Sequence, residues 1–109
     1  MTFEEYQAKA LRTAINKGKK NDLFHIVLGL VGEAGEIAEK FKKLVRDQNS
    51  DESKIDKEDI KKELGDVLWY VAIMADYFDI ELDEVAKGNI AKLSDRQKRD
   101  VIKGKGDNR

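Results

Sequence analysis

An all-α bundle of four helices is the fold this sequence predicts, and three observations predict it. Apolar residues recur with a helical period over four separate stretches. None of the 109 residues is proline, so nothing in the chain forbids long uninterrupted helices. No stretch alternates apolar and polar residues convincingly enough to read as a strand.

The first helix should start at Thr2, which with Glu5 three residues later has the capping-box spacing. It carries Phe3, Tyr6, Leu11, Ala14 and Ile15 and is expected to end near Gly18, where Lys17-Gly-Lys-Lys-Asn21 reads as a basic turn. Asp22 is the expected cap of a second helix running to about Val45 or Arg46. Its stripe is Ile26, Val27, Leu30, Val31, Ala34, Ile37, Ala38, Phe41, Leu44 and Val45. Residues 47–55 are polar and aperiodic and read as the one long loop. Asp56 should cap a third helix through about Tyr77 or Phe78, with Ile60, Leu64, Val67, Leu68, Val71, Met74, Ala75 and Phe78 as its stripe. Leu82-Asp83 reads as a hydrophobic residue before an N-cap, opening a fourth helix with Val85, Ala86, Ile90 and Leu93. Glycines in the tail at about 103–109 would stop it.

The bulk numbers narrow the class of protein. The chain is expected to form one domain over 1–109, with a single core and a small stability margin. It is 40% hydrophobic and 39% charged, which with periodic apolar residues suits a helical domain better than a disordered chain. A net charge of −1 argues against a general nucleic-acid binder. The absence of cysteine excludes disulfides and thiolate metal sites. The apolar runs are too short to span a bilayer, and the N-terminus has no signal-peptide pattern, so a soluble cytoplasmic protein is expected.

Two carboxylate pairs stand out, Glu33/Glu36 on the second helix and Glu63/Asp66 on the third. Residues three apart share a helix face. With Leu30 at zero on a helical wheel, Glu33 falls at roughly 300° and Glu36 at roughly 240°; with Ile60 at zero, Glu63 and Asp66 take about the same two angles. In each pair the first carboxylate therefore borders the core and the second lies further out. Taken singly, either pair suits an ordinary solvated face. Their shared placement, with Gly29, Gly32, Gly35 and Gly65 nearby, allows a four-carboxylate cluster between antiparallel helices. A helical glycine costs about 1 kcal/mol against alanine, so close backbone approach is expected there. All-oxygen ligands suit Mg²⁺ or Mn²⁺. Di-iron bundles require Glu-x-x-His pairs, and the lone His25 lies outside both acidic pairs; it reads as a partly buried structural residue.

Gly-Glu-Ala-Gly-Glu at 32–36 and Lys-Glu-Leu-Gly-Asp-Val-Leu-Trp-Tyr at 62–70 resemble the MazG-like all-α nucleoside triphosphate pyrophosphohydrolases. The family signature, E-x-x-E on one helix and E-x-x-D on the next, is matched by Glu33/Glu36 and Glu63/Asp66. The likeness runs over about residues 22–109, through Asn89-Ile-Ala-Lys-Leu-Ser-Asp-Arg96 and the closing Gly-Lys-Gly-Asp-Asn-Arg. The resemblance implies Mg²⁺-dependent cleavage between the α- and β-phosphates of a nucleoside triphosphate, with Mn²⁺ as a substitute. It makes Glu33, Glu36, Glu63 and Asp66 the metal ligands, with Glu36 or Glu63 also positioning or deprotonating the attacking water. It further implies a homodimer or homotetramer with sites near subunit interfaces.

Downstream, Asn89, Lys92, Arg96 and Arg99 form one stripe of the fourth helix. From Lys92 to Arg109 there are seven basic and three acidic residues, a local excess of four positive charges. Alone, this suits a solvated surface or compensation of a helix C-terminus. Beside the resemblance, Asn89, Lys92 and Arg96 become candidates for the β- and γ-phosphates, and Lys103, Asp107, Asn108 and Arg109 weaker ones. Trp69, Tyr70 and Tyr77 lie away from the apolar centre of the third helix, and burial in a subunit interface is expected ahead of stacking on a base. Two other readings stand beside the leading one. They are a same-fold hydrolase of another pyrophosphate-containing metabolite, such as a phosphoribosyl nucleotide or alarmone, and a noncatalytic helical interaction module.

Overall fold

A computed structural model describes residues 1–99, so the expected tail at 103–109 lies outside the described residues. Helix α1 spans Phe3–Leu11, α2 Asp22–Gln48, α3 Lys57–Tyr77 and α4 Leu82–Lys98, with a 3₁₀ turn at Glu52–Lys54. Among the described residues there is no strand, and the chain is all-α as expected. None of these helices is long and apolar enough to cross a membrane.

Local chemistry accounts for the helix ends. The Thr2 hydroxyl accepts from Glu5 N–H at 3.1 Å and the Glu5 carboxylate accepts from Thr2 N–H at 3.2 Å, closing the expected capping box. At the other end α1 stops at Leu11, short of the expected turn near Gly18. There the Thr13 hydroxyl donates to Ala10 C=O at 2.7 Å, and i→i+3 bonds from Thr13 and Ala14 tighten the backbone out of the helix. Asp22 proves to be the first residue of α2 rather than its cap; Asn21, left-handed at φ 64°, precedes it. The Asp22 carboxylate instead accepts from Gly18 N–H across the connection. Helix α2 runs two residues past Arg46 and ends where Asn49 turns left-handed and Ser50 N–H reaches back to Leu44 C=O. Asp56 caps α3 as expected, accepting from Glu58 and Asp59 N–H. In α4, Leu82 opens the helix after Glu81, so Asp83 is not the cap.

Helix α3 is central. It packs against α1, α2 and α4, whereas among the described residues α3 is the one α-helix packed against α2. Ala10, Ile26, Ala72, Ile73 and Leu82 form the core, joined by partly buried Tyr6, Leu11, Ala14, Leu68, Trp69, Tyr70, Val71 and Met74. Buried Gln7 ties three elements together: its amide donates to Ala72 and Ile80 C=O and accepts from Leu82 N–H. The bonds to Ile80 C=O and Leu82 N–H fix the α3–α4 turn, and the buried Leu82 N–H at the start of α4 gains a partner there.

The apolar stripe expected on the second helix is buried only in part. Ile26 is inside, but Val31 and Val45 are each more than 60% exposed, as are Phe24 and Leu28 outside the stripe. One neighbouring helix covers one side of α2, and its apolar face is broader than that.

Candidate metal centre

Two contacts establish how α2 and α3 face one another. The Tyr70 ring lies against the backbone of Gly29. About three turns along the pair, Lys40 Nζ is 2.6 Å from Asp59 Oδ2. These contacts require antiparallel helices in a register that sets Glu33 opposite Asp66 and Glu36 opposite Glu63. Along α2 the facing positions are 29, 33, 36 and 40, and along α3 they are 70, 66, 63 and 59. Such alternation of three and four marks the seam of paired helices, where apolar residues usually sit. Here acids occupy its middle.

Glu33, Glu36 and Glu63 each present an oxygen such that all three lie within 4.8 Å of one another. Glu33 and Glu63 are half-buried and Glu36 is exposed, in keeping with the wheel expectation for each pair. Glu33 Oε2 and Glu63 Oε2 are buried without a hydrogen-bond partner. Burial pushes the Glu33 carboxyl above its ordinary value, and the charges of Glu36, Asp66 and Glu63 add to the rise. Burial likewise raises Glu63, followed by Glu36, with Lys40 opposing. Buried carboxylate oxygens without partners are costly. A hard cation, whose oxygen ligands lie at about 2.0–2.6 Å, would fit between these atoms and satisfy them. The residues therefore suit a hard divalent cation.

Asp66 is exposed and outside the close group of three, but near enough to act electrostatically on Glu33 and Glu63. It also raises the Tyr6 phenol, after burial, which brings α1 to the edge of the site. Tyr6 was legible in the sequence only as an apolar-face residue. The expected close approach at four glycines occurs at Gly29 alone. A Cβ at Gly32, Gly35 or Gly65 would meet nothing within 4 Å.

The expected basic stripe divides. Asn89 and Lys92 are exposed on α4, whereas Arg96 is 2% exposed and engaged in contacts of its own. Arg99 pairs with Asp95 at 2.8 Å. Helix α4 packs on α1 and α3 rather than α2, so within one chain the stripe is not laid against the carboxylates of α2. Lys103, Asp107, Asn108 and Arg109 lie outside the described residues.

Beside the acids is a cavity of about 910 Å³ between α3, the start of α2 and the α1–α2 connection. Gly29 and Tyr70 line it, and each is one helical turn from a carboxylate, Glu33 and Asp66 respectively. Trp69 Nε1 donates to the Thr13 hydroxyl at 2.8 Å, and Lys17 pairs with Asp76 at 3.4 Å, pinning the connection to α3. Trp69 and Tyr70 meet edge to face with centroids 4.9 Å apart. Both are half-buried and pack on the core of their own chain, whereas the expectation is burial in a subunit interface, because α1 and its connection lie over that side of α3. Tyr77 is 47% exposed within the chain. His25 also departs from expectation: it is exposed and lines the cavity.

The model of the MazG nucleotide pyrophosphohydrolase domain matches residues 13–101 of this chain. The Gene 37 protein of Mycobacterium phage L5 is 44% identical over 114 residues, a match covering 100% of each chain. No solved structure matches.

Proposed function

The chain belongs to the MazG nucleotide pyrophosphohydrolase family, and from that membership we propose that it hydrolyses nucleoside triphosphates between the α- and β-phosphates in a Mg²⁺-dependent reaction. The products are a nucleoside monophosphate and pyrophosphate, and Mn²⁺ substitutes for Mg²⁺. One observation carries the reading: Glu33, Glu36 and Glu63 converge from facing helices, and two of their oxygens are buried without partners.

Under this proposal Glu33, Glu36 and Glu63 hold the metal, with Asp66 completing the acidic set from the side. A divalent ion so bound polarises phosphoryl oxygens and makes a bound water more acidic. Glu36, the exposed member of the three, orients the attacking water and takes its proton, with Glu63 as its partner. The nucleoside occupies the adjoining cavity, whose volume is in the range of small-molecule sites, with Trp69 and Tyr70 as the aromatic wall. Asn89 and Lys92 contact the outer phosphates from exposed positions, and Arg96 supports them as the buried cation of the same stripe. The exposed apolar residues of α2 are covered by a second copy in a homodimer or homotetramer, and the protein works in the cytoplasm.

A panel of nucleotides with pyrophosphate detection tests the activity. An α-labelled triphosphate should yield labelled monophosphate in the presence of Mg²⁺. Release of inorganic phosphate with a diphosphate would overturn the bond assignment.

A further inference from the structure

Lys40 carries a cation to the edge of the acidic cluster. Its ammonium is 2.6 Å from Asp59 Oδ2 and 3.8 Å from Glu63 Oε1. Asp59 is one helical turn before Glu63 on α3, and Lys40 one turn after Glu36 on α2, so the pair occupies the next step of the same seam. The close contact is thus made with the carboxylate outside the cluster, and the looser one with a carboxylate inside it. Side-chain exposure follows the same gradient, 41% for Asp59 and 13% for Glu63.

An ammonium in direct contact with Glu63 would compete with a divalent ion. It would occupy oxygen lone pairs that the metal needs, and its charge would repel the metal over a few ångströms. A shift of about 1 Å would bring Lys40 from 3.8 Å to a charge-assisted hydrogen-bond distance, and its flexible four-carbon stem permits this. Asp59 offers that ammonium a closer partner in a more exposed position.

We propose that Asp59 is a positioning residue that draws Lys40 off Glu63 and so keeps the acidic cluster open to a divalent cation. The proposal rests on the reading that Glu33, Glu36 and Glu63 bind such an ion. An ordinary interhelical ion pair would link the two helices without setting metal affinity, and this difference is measurable.

The experiment is a double-mutant cycle read by direct Mn²⁺ binding to the metal-free full-length protein without nucleotide, following free Mn²⁺ by electron paramagnetic resonance. Asp59→Asn should weaken binding roughly three- to tenfold, since Lys40 then turns to Glu63. Lys40→Met should bind Mn²⁺ as tightly as the wild type or more tightly. In the double variant, affinity should return to within about twofold of Lys40→Met alone, because Asp59 then has no ammonium to hold. Circular dichroism checks that the helices persist. If Asp59→Asn does not fold, Lys40→Met still decides, because weakened binding in that variant overturns the proposal. Unchanged binding in folded Asp59→Asn, or an equal loss with and without Lys40, also overturns it. Wild-type protein that binds no Mn²⁺ removes the metal reading and this proposal together; wild-type binding that Asp59→Asn leaves intact removes the proposal alone.

Discussion

The Tyr70 ring occupies the space in which a side chain at Gly29 would begin. A Cβ built there would run into Cε1, Cζ and the hydroxyl oxygen of the tyrosine. This contact brings α2 close to α3 one turn from Glu33 and Asp66, so the fit between a glycine and a tyrosine bears directly on how the carboxylates meet.

Gly29→Ala should therefore be destabilising, by about 1–3 kcal/mol, because overpacking outweighs the gain of about 1 kcal/mol in helix propensity. Gly65→Ala is the control, since its Cβ would meet nothing within 4 Å; it should leave stability unchanged or raise it. Urea denaturation of both variants checks the contrast. Equal or greater stability of Gly29→Ala would mean that the ring yields without cost.

Glu36→Gln should remove most turnover, by at least about 100-fold, which is the upper end for loss of an outer-sphere metal partner. Glu36 is exposed, so its amide should leave the helical circular dichroism intact. Near-normal pyrophosphate release by the variant would reject Glu36 as a required ligand.

Stability of the metal-free protein should depend on pH through Glu33 and Glu63. Both are raised above the ordinary value of 4.5, first by burial and then by neighbouring carboxylates. Ionisation consequently costs the folded state more than the unfolded chain. Their stabilising contribution is fully present below about 4.5 and is lost as pH rises through the raised folded values. Relative to a Glu33→Gln/Glu63→Gln variant, the metal-free wild type should lose Tm as pH rises from 4.5 toward 7, and saturating Mg²⁺ should restore it at pH 7. Parallel Tm profiles for the two proteins, with no Mg²⁺ increment, would contradict this.

Val31 lies on the uncovered face of α2 and is 65% exposed. If a second copy covers that face, the wild type should sediment at two or four times the 12.4 kDa chain mass, and Val31→Glu should shift it toward the monomer. A wild type that sediments as a monomer at all accessible concentrations would remove the oligomer proposal.

Much of this site was legible before the helices were packed. The three-residue spacing within Glu33/Glu36 and Glu63/Asp66, and the inner or outer rank of each acid, follow from helical period alone. The Lys40–Asp59 pair carried a signal too: both residues extend the carboxylate spacing by one turn in opposite chain directions, as antiparallel facing positions must. Arg96 carried none. It belongs by sequence to the same stripe as exposed Asn89 and Lys92, yet it is buried.

The sequence by itself determined where α1 and α3 begin, because Thr2 and Asp56 complete bonds with backbone groups two or three residues away. It determined the face on which each acid pair stands for the same local reason. Only the tertiary structure decided which acid meets which, that three of the four converge, and that a cavity opens beside them. Those outcomes depend on the axial offset of α2 against α3. That offset is set by contacts such as Gly29 with Tyr70 and Lys40 with Asp59, between residues far apart in the chain that touch in space.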